Sequence, residues 1–135
     1  MKNSKQNAER WLRDAERTLE QAAKNIEIKA YNVACFLAEQ SAQKFLKAVL
    51  YFDGARFITI HSINKLIEEV SKIHPEFLPL MAEGSKLDQY YLSARYPDAV
   101  AEPAIPSEIF IEDQAKAAVL IAEKIFKASQ SVIRS

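Results

Sequence analysis

The chain has 135 residues, 49% of them hydrophobic and 27% charged, with only two glycines and five prolines. This size and composition predict one folded domain over residues 1–135 with a single core and an all-α fold, and they argue against a disordered or turn-rich all-β chain. The 18 basic and 18 acidic side chains cancel, so contact with nucleic acid or an anionic membrane requires a local cluster of charge.

Two long helices are predicted in the first half of the chain. Over residues 4–26, apolar residues recur three or four positions apart with charged residues between them, which is typical of an amphipathic helix. Residues 31–50 continue this spacing but are apolar on more than one side, so we expect a central helix or one covered by a second subunit. Asp53-Gly54 ends it, because glycine accepts the left-handed conformation found after helix C-termini.

The second half is predicted to contain one short helix and two longer ones. Residues 56–60 form an extended connector, and Ser62 then caps a short third helix. A fourth helix covers roughly residues 78–94, with an interruption near Gly84. The three prolines within 95–107 predict a loop, after which a last helix begins near Ser107 and continues to Ile133.

Short connections favour antiparallel neighbours. The predicted architecture is therefore an antiparallel up-and-down bundle of four main helices plus a short helix. Residues 1–60 carry ten basic and seven acidic groups, which favours the amino-terminal half as the side that faces anions.

Patterns for metal, cofactor and covalent chemistry are missing from this sequence. His61 and His74 are the only histidines, and they do not have the spacing of metal ligands. The one cysteine, Cys35, lies in an apolar stretch and is predicted to be a core residue. No cofactor is expected.

The sequence also lacks an apolar leader and a stretch long enough to cross a bilayer. We expect no membrane contact and a cytoplasmic location.

Arg95 is the most informative residue, because an apolar helical stripe over 87–94 runs into it and Pro97 then ends the helix. Two interpretations stay open. The cation can complement the carbonyl end of the helix and pair with Asp98. Alternatively, its planar guanidinium beside Tyr91 and Tyr96 can bind a phosphate while a ring stacks on a base. The candidate ligand site is thus Arg95 with Tyr91, Tyr96 and Asp98.

His61 allows a similar choice. Alone at a helix start, it is either a hydrogen-bonding anchor or, with Ser62, part of a phosphate site at the helix N-terminus. Lys44 and Lys47 are predicted to form a solvated face of the second helix.

Five segments, taken in order, resemble the HEPN (higher eukaryotes and prokaryotes nucleotide-binding) domain. They are Trp11-Leu12-Arg13-Asp14-Ala15, residues 31–48 with the run Gln40-Ser41-Ala42-Gln43-Lys44, His61-Ser62-Ile63-Asn64-Lys65-Leu66, Leu87-Asp88-Gln89-Tyr90-Tyr91 and Arg95-Tyr96-Pro97-Asp98. The resemblance implies an antiparallel helical bundle that forms a homodimer. It also implies binding of a nucleotide or RNA, or pairing with a nucleotidyltransferase protein as in toxin-antitoxin pairs.

Some members of this family are metal-independent ribonucleases that carry a histidine four to six residues after the arginine. Here no histidine follows Arg95, so the resemblance does not extend to that activity, and we expect a non-catalytic binding protein. The alternative is a ribonuclease with a remodelled site, in which Arg95 acts with His61.

Overall fold

The structure is a computed structural model that describes residues 3–135, so Met1 and Lys2 lie outside it. The described residues contain α-helices, short 3₁₀ turns and no β-strand, which confirms the predicted all-α class. The α-helices are α1 (Ser4–Glu27), α2 (Tyr31–Phe52), α3 (Ile63–Ser71), α4 (Met81–Leu87), α5 (Tyr90–Ser93), α6 (Pro106–Ile109) and α7 (Glu112–Ile133). The 3₁₀ turns are Pro75–Leu80 and Pro97–Ala99.

The four main helical segments alternate in direction. A tight turn reverses the chain between α1 and α2, and Lys44 on α2 pairs with Asp14 on α1 at 2.9 Å. The α4–α5 segment runs back along α2, ending where the Asn32 amide donates to the Ala94 carbonyl at 3.0 Å. Helix α7 returns beside α2, and Arg134 just after it reaches the start of α1. The antiparallel bundle of four main helices plus the short α3 is confirmed.

Helix α2 lies at the centre, packed against α1, α3 and α7. Its buried residues face several sides of the helix, as its apolar composition predicts. Phe45 stacks on Phe126 of α7 with ring centroids 5.0 Å apart. Cys35 is fully buried, in agreement with its predicted place in the core, and burial raises the pKa of its thiol to about 12. Gly54 follows α2 with φ +101°, as expected for a helix stop.

The fourth helix is interrupted at a different place from the predicted one. It breaks at Asp88 and Gln89, between α4 and α5, whereas Gly84 is a helical residue inside α4. Gly84 allows α3 and α4 to approach closely, because a Cβ there would lie 2.7 Å from Ile67 Cδ1 and 3.2 Å from Ile63 Cγ2.

The predicted 95–107 loop and the start of the last helix also need correction. The segment contains the 3₁₀ turn Pro97–Ala99 and the start of α6, with Pro106 at a first-turn position where its missing N–H is not needed. Ser107 therefore belongs to α6. Helix α7 begins only at Glu112, where the Ile111 amide donates to Gln114 Oε1 at 2.9 Å.

Candidate functional site

Arg95 follows α5, and three aromatic rings surround its guanidinium. The Cζ atom lies 4.6 Å from the ring centroid of Phe36, 4.8 Å from that of Tyr91 and 4.9 Å from that of Tyr96. Its Nε donates to the Tyr91 carbonyl at 2.9 Å, so the side chain also caps the end of its own helix. Rings and carbonyl together fix the plane of the guanidinium on the protein surface.

The site is open to an external ligand. Arg95 is exposed, and Tyr91 and Tyr96 are 43% and 49% exposed. Only Nε takes part in this hydrogen bond, so the two terminal nitrogens of the guanidinium remain as donors. Together they match the spacing of two phosphate oxygens. The partly exposed rings can stack on a base.

Asp98 does not complete the expected pair. It is exposed in the turn Pro97–Ala99, and within residues 3–135 no ion pair joins it to Arg95. The helix-end interpretation of Arg95 is therefore correct in its carbonyl contact and wrong in its carboxylate partner. The reason is that Pro97 puts Tyr96 in an extended conformation, so Asp98 does not continue the helical spacing.

His61 and Arg95 contact different parts of α2. His61 Nδ1 lies 3.3 Å from Lys47 Nζ, whereas Arg95 covers Phe36. These two α2 positions are eleven residues apart, which is about 16 Å along a helix axis. Ser62 caps α3 as predicted, since its Oγ accepts from the Lys65 amide at 3.3 Å.

A buried polar stripe on α2 lies between these two contacts. It consists of Glu39, Gln43 and Lys47, which are 0%, 4% and 9% exposed and share one face because they are four residues apart. The Glu39 carboxylate accepts from Gln43 Nε2 and, at 2.7 Å, from Gln40 Nε2. The expected solvated face is thus wrong for Lys47.

Burial changes the pKa values of the two ionisable side chains in this stripe. It raises the pKa of Glu39, with a smaller raising effect from Asp88 and lowering effects from the two amide hydrogen bonds and Arg95. It also lowers the pKa of Lys47, opposed by Glu39. Both shifts favour the neutral forms. Sequence reasoning missed the stripe, although its four-residue spacing inside an apolar helix was a usable signal.

Asp88 is a further residue whose role sequence reasoning missed. Its carboxylate accepts from the Ile63 amide at 2.7 Å, the Asn64 amide at 3.1 Å and the Ser62 hydroxyl at 3.2 Å. Asp88 therefore caps α3 from the break between α4 and α5. In doing so it ties the segment that carries His61 to the segment that carries Arg95.

Residues 3–135 contain no group of three or more His, Cys, Asp or Glu side chains placed to hold a metal ion. Within the same range, no helix has the length and apolar character that crossing a bilayer requires.

Comparison with known proteins finds relatives over nearly the whole chain. The profile of the HEPN domain matches residues 8–132. TT1696 from Thermus thermophilus has a similar crystal structure, with a TM-score of 0.87 and 28% identity over 93% of this chain and 98% of that one. ST0689, described as an archaeal HEPN homologue, gives a TM-score of 0.77 and 32% identity over 98% and 99% of the two chains.

A HEPN domain protein from Thermotoga maritima gives a TM-score of 0.71 and 26% identity over 93% and 98% of the two chains. No curated protein sequence matches this chain.

Proposed function

Because this chain belongs to the HEPN domain family, we propose that it is a non-catalytic binding protein in which Arg95 holds a phosphate of a nucleotide or of RNA. The observation that carries this proposal is the exposed guanidinium fixed among three aromatic rings. Because the side chain is already ordered, less conformational entropy is lost when a ligand binds.

The charge of Arg95 is available to a ligand. Within residues 3–135 no ion pair joins Arg95 to a carboxylate, and the buried Glu39, which interacts with Arg95, has a pKa raised chiefly by desolvation. A carboxyl group that resists ionisation offers little counter-charge, so the guanidinium attracts an external anion instead. Tyr91 and Tyr96 then supply flat surfaces for a base next to the phosphate.

Titration of nucleoside triphosphates into the protein tests this role. Arg95→Gln removes a charge-assisted contact worth about 1.5–3 kcal/mol, so the Kd is expected to rise about tenfold to a hundredfold. Arg95→Lys keeps the charge but loses the fork and the stacking plane, and its Kd is expected to lie in between. Lys86→Gln, a change of equal charge at an exposed site, is the control. An Arg95→Gln Kd equal to that of the control contradicts the proposal.

We also propose a homodimer, or pairing with a nucleotidyltransferase protein as in toxin-antitoxin pairs. Exposed apolar side chains lie on the elements that flank Arg95, namely Val33 on α2, Leu92 on α5 and Tyr96 after it. A partner that covers these side chains would remove their apolar surface from water. Sedimentation of the protein alone tests the homodimer, and sedimentation with a nucleotidyltransferase protein tests the pairing. Leu92→Asp should weaken whichever of the two assemblies forms. Assemblies that are insensitive to Leu92→Asp would show that this surface is not the interface.

The alternative function is a ribonuclease in which Arg95 acts with His61. Its support is weaker, because the two side chains contact α2 at positions about 16 Å apart along the axis. An acid-base pair must reach the same reacting group within hydrogen-bond distance. RNA cleavage that is lost in both Arg95→Gln and His61→Ala would establish this alternative and overturn the non-catalytic proposal.

A further inference from the structure

A second anion-attracting surface lies along α1 and begins at the end of the bundle away from Arg95. A groove of about 540 Å³ is lined by Trp11, Tyr51 and Arg56, among other residues. It continues past Trp11 into a second groove at Arg10 and Lys44, and from there to Arg13, Arg17 and Arg134. These residues are defined here as the α1 groove.

The cations of the α1 groove outnumber its acids. Its three acids are already paired, Asp14 with Lys44 at 2.9 Å, Glu16 with Arg134 at 2.7 Å and Glu20 with Arg17 at 3.5 Å.

Three exposed arginines remain: Arg10, Arg13 and Arg56. Within residues 3–135 none of the three forms an ion pair. Glu9 also pairs with Arg134, at 2.8 Å, and the groove still has a local excess of positive charge on a chain whose total charge is zero. Excess charge of this kind attracts polyanions.

An aromatic pair lies in the same groove. The rings of Trp11 and Tyr51 are 5.1 Å apart at an interplanar angle of 41°, and both side chains are only partly buried. Arginines beside partly exposed aromatic rings are the combination with which proteins hold single-stranded nucleic acid, because the charges follow the phosphates and the rings stack on bases. A purely acidic partner would make no use of the rings.

We infer that the α1 groove binds single-stranded nucleic acid, separately from the Arg95 site. Tyr51, at one end of the groove, is fifteen residues from Phe36 on α2, which is about 22 Å along the helix axis. The groove lining extends from Ser4 to Glu20 of α1, about 24 Å. A stacked strand rises about 3.4 Å per phosphate, so this length accommodates about seven nucleotides.

Trp11 supplies the assay, because it is the single tryptophan of the chain. Oligonucleotides of about ten residues, RNA and DNA of one sequence, are titrated against its fluorescence. We expect saturable quenching of the tryptophan fluorescence. The oligonucleotide with the lower Kd shows whether the groove prefers RNA or DNA. A strand that binds without quenching, or no binding by either strand, overturns the inference. Equal quenching by polyglutamate also overturns it, since the groove would then be a site for acidic polypeptides.

Salt dependence tests the arginines. With three phosphate contacts, single-strand affinity should fall about 18-fold between about 50 and about 200 mM salt. The double variant Arg10→Gln/Arg13→Gln leaves one contact and should reduce this fall to about 3-fold. Both arginines are exposed and unpaired among the described residues, and circular dichroism checks that the variant keeps its helices.

Two controls separate this site from the Arg95 site. Lys65→Gln/Lys86→Gln changes the charge equally at exposed positions of α3 and α4 and should behave as the unmodified protein. Arg95→Gln should leave the quenching of Trp11 unchanged. An Arg10→Gln/Arg13→Gln protein with the salt dependence of the lysine control overturns the inference, whatever Arg95→Gln shows.

Discussion

Replacement of Asp88 by alanine tests how the two candidate regions are held together. The substitution removes a carboxylate that accepts three hydrogen bonds from the start of α3, at 2.7, 3.1 and 3.2 Å. Losing a helix cap costs about 0.5–2 kcal/mol, and hydrogen bonds to a charged group contribute about 1.5–3 kcal/mol each but do not add fully. Ser62 still accepts from the Lys65 amide, which limits the loss. We expect the free energy of unfolding to fall by about 3 kcal/mol.

Urea denaturation, thermal denaturation and amide hydrogen exchange measure this effect. In thermal denaturation the melting temperature should drop by about 10 °C for a chain of this size. Hydrogen exchange should accelerate first at the amides of Ile63 and Asn64. Asp88→Asn keeps one acceptor oxygen and should lose about half as much. Asp98→Ala is the matched control, because exposed residues without such contacts change stability by about 0.5 kcal/mol or less. An Asp88→Ala loss no larger than that of Asp98→Ala would refute the capping role.

Two further predictions concern buried groups of α2. Because burial raises the pKa of Glu39, its contribution to stability is complete below the unfolded pKa of about 4.3 and is lost as the pH rises through the higher folded value. Glu39→Gln should therefore gain stability relative to the unmodified protein with rising pH in urea titrations, and a difference independent of pH would contradict this. Cys35, with a pKa raised to about 12, should resist a thiol reagent until urea unfolds the chain; rapid labelling of folded protein would contradict its burial.

The long helices could be predicted from the sequence because their signals are local. The spacing of apolar residues in α1 and α2 reports directly on which face is buried. The Ser62 cap and the Gly54 stop depend on the conformation of single residues, and Cys35 was placed in the core by its immediate neighbours. None of these features requires knowledge of a distant segment.

The break in the fourth helix could not be located in this way. Gly84 has the weakest intrinsic helix propensity within α4, yet it remains helical, because contact with Ile63 and Ile67 favours a residue without a side chain there. The break occurs at Asp88, whose carboxylate binds amides 24 and 25 positions earlier in the chain. Long-range hydrogen bonds of this kind decided the local structure.

The candidate site shows the same division. The sequence alone determined that Arg95 ends an amphipathic helix beside tyrosines, because periodicity and the following proline are local properties. Only the tertiary structure decided that Phe36 completes the ring of aromatics and that Lys47 is buried beside His61. It also decided that Asp98 does not pair with Arg95. These contacts join segments far apart in sequence, and they exist only after the hydrophobic faces of α2 and its neighbours have packed together.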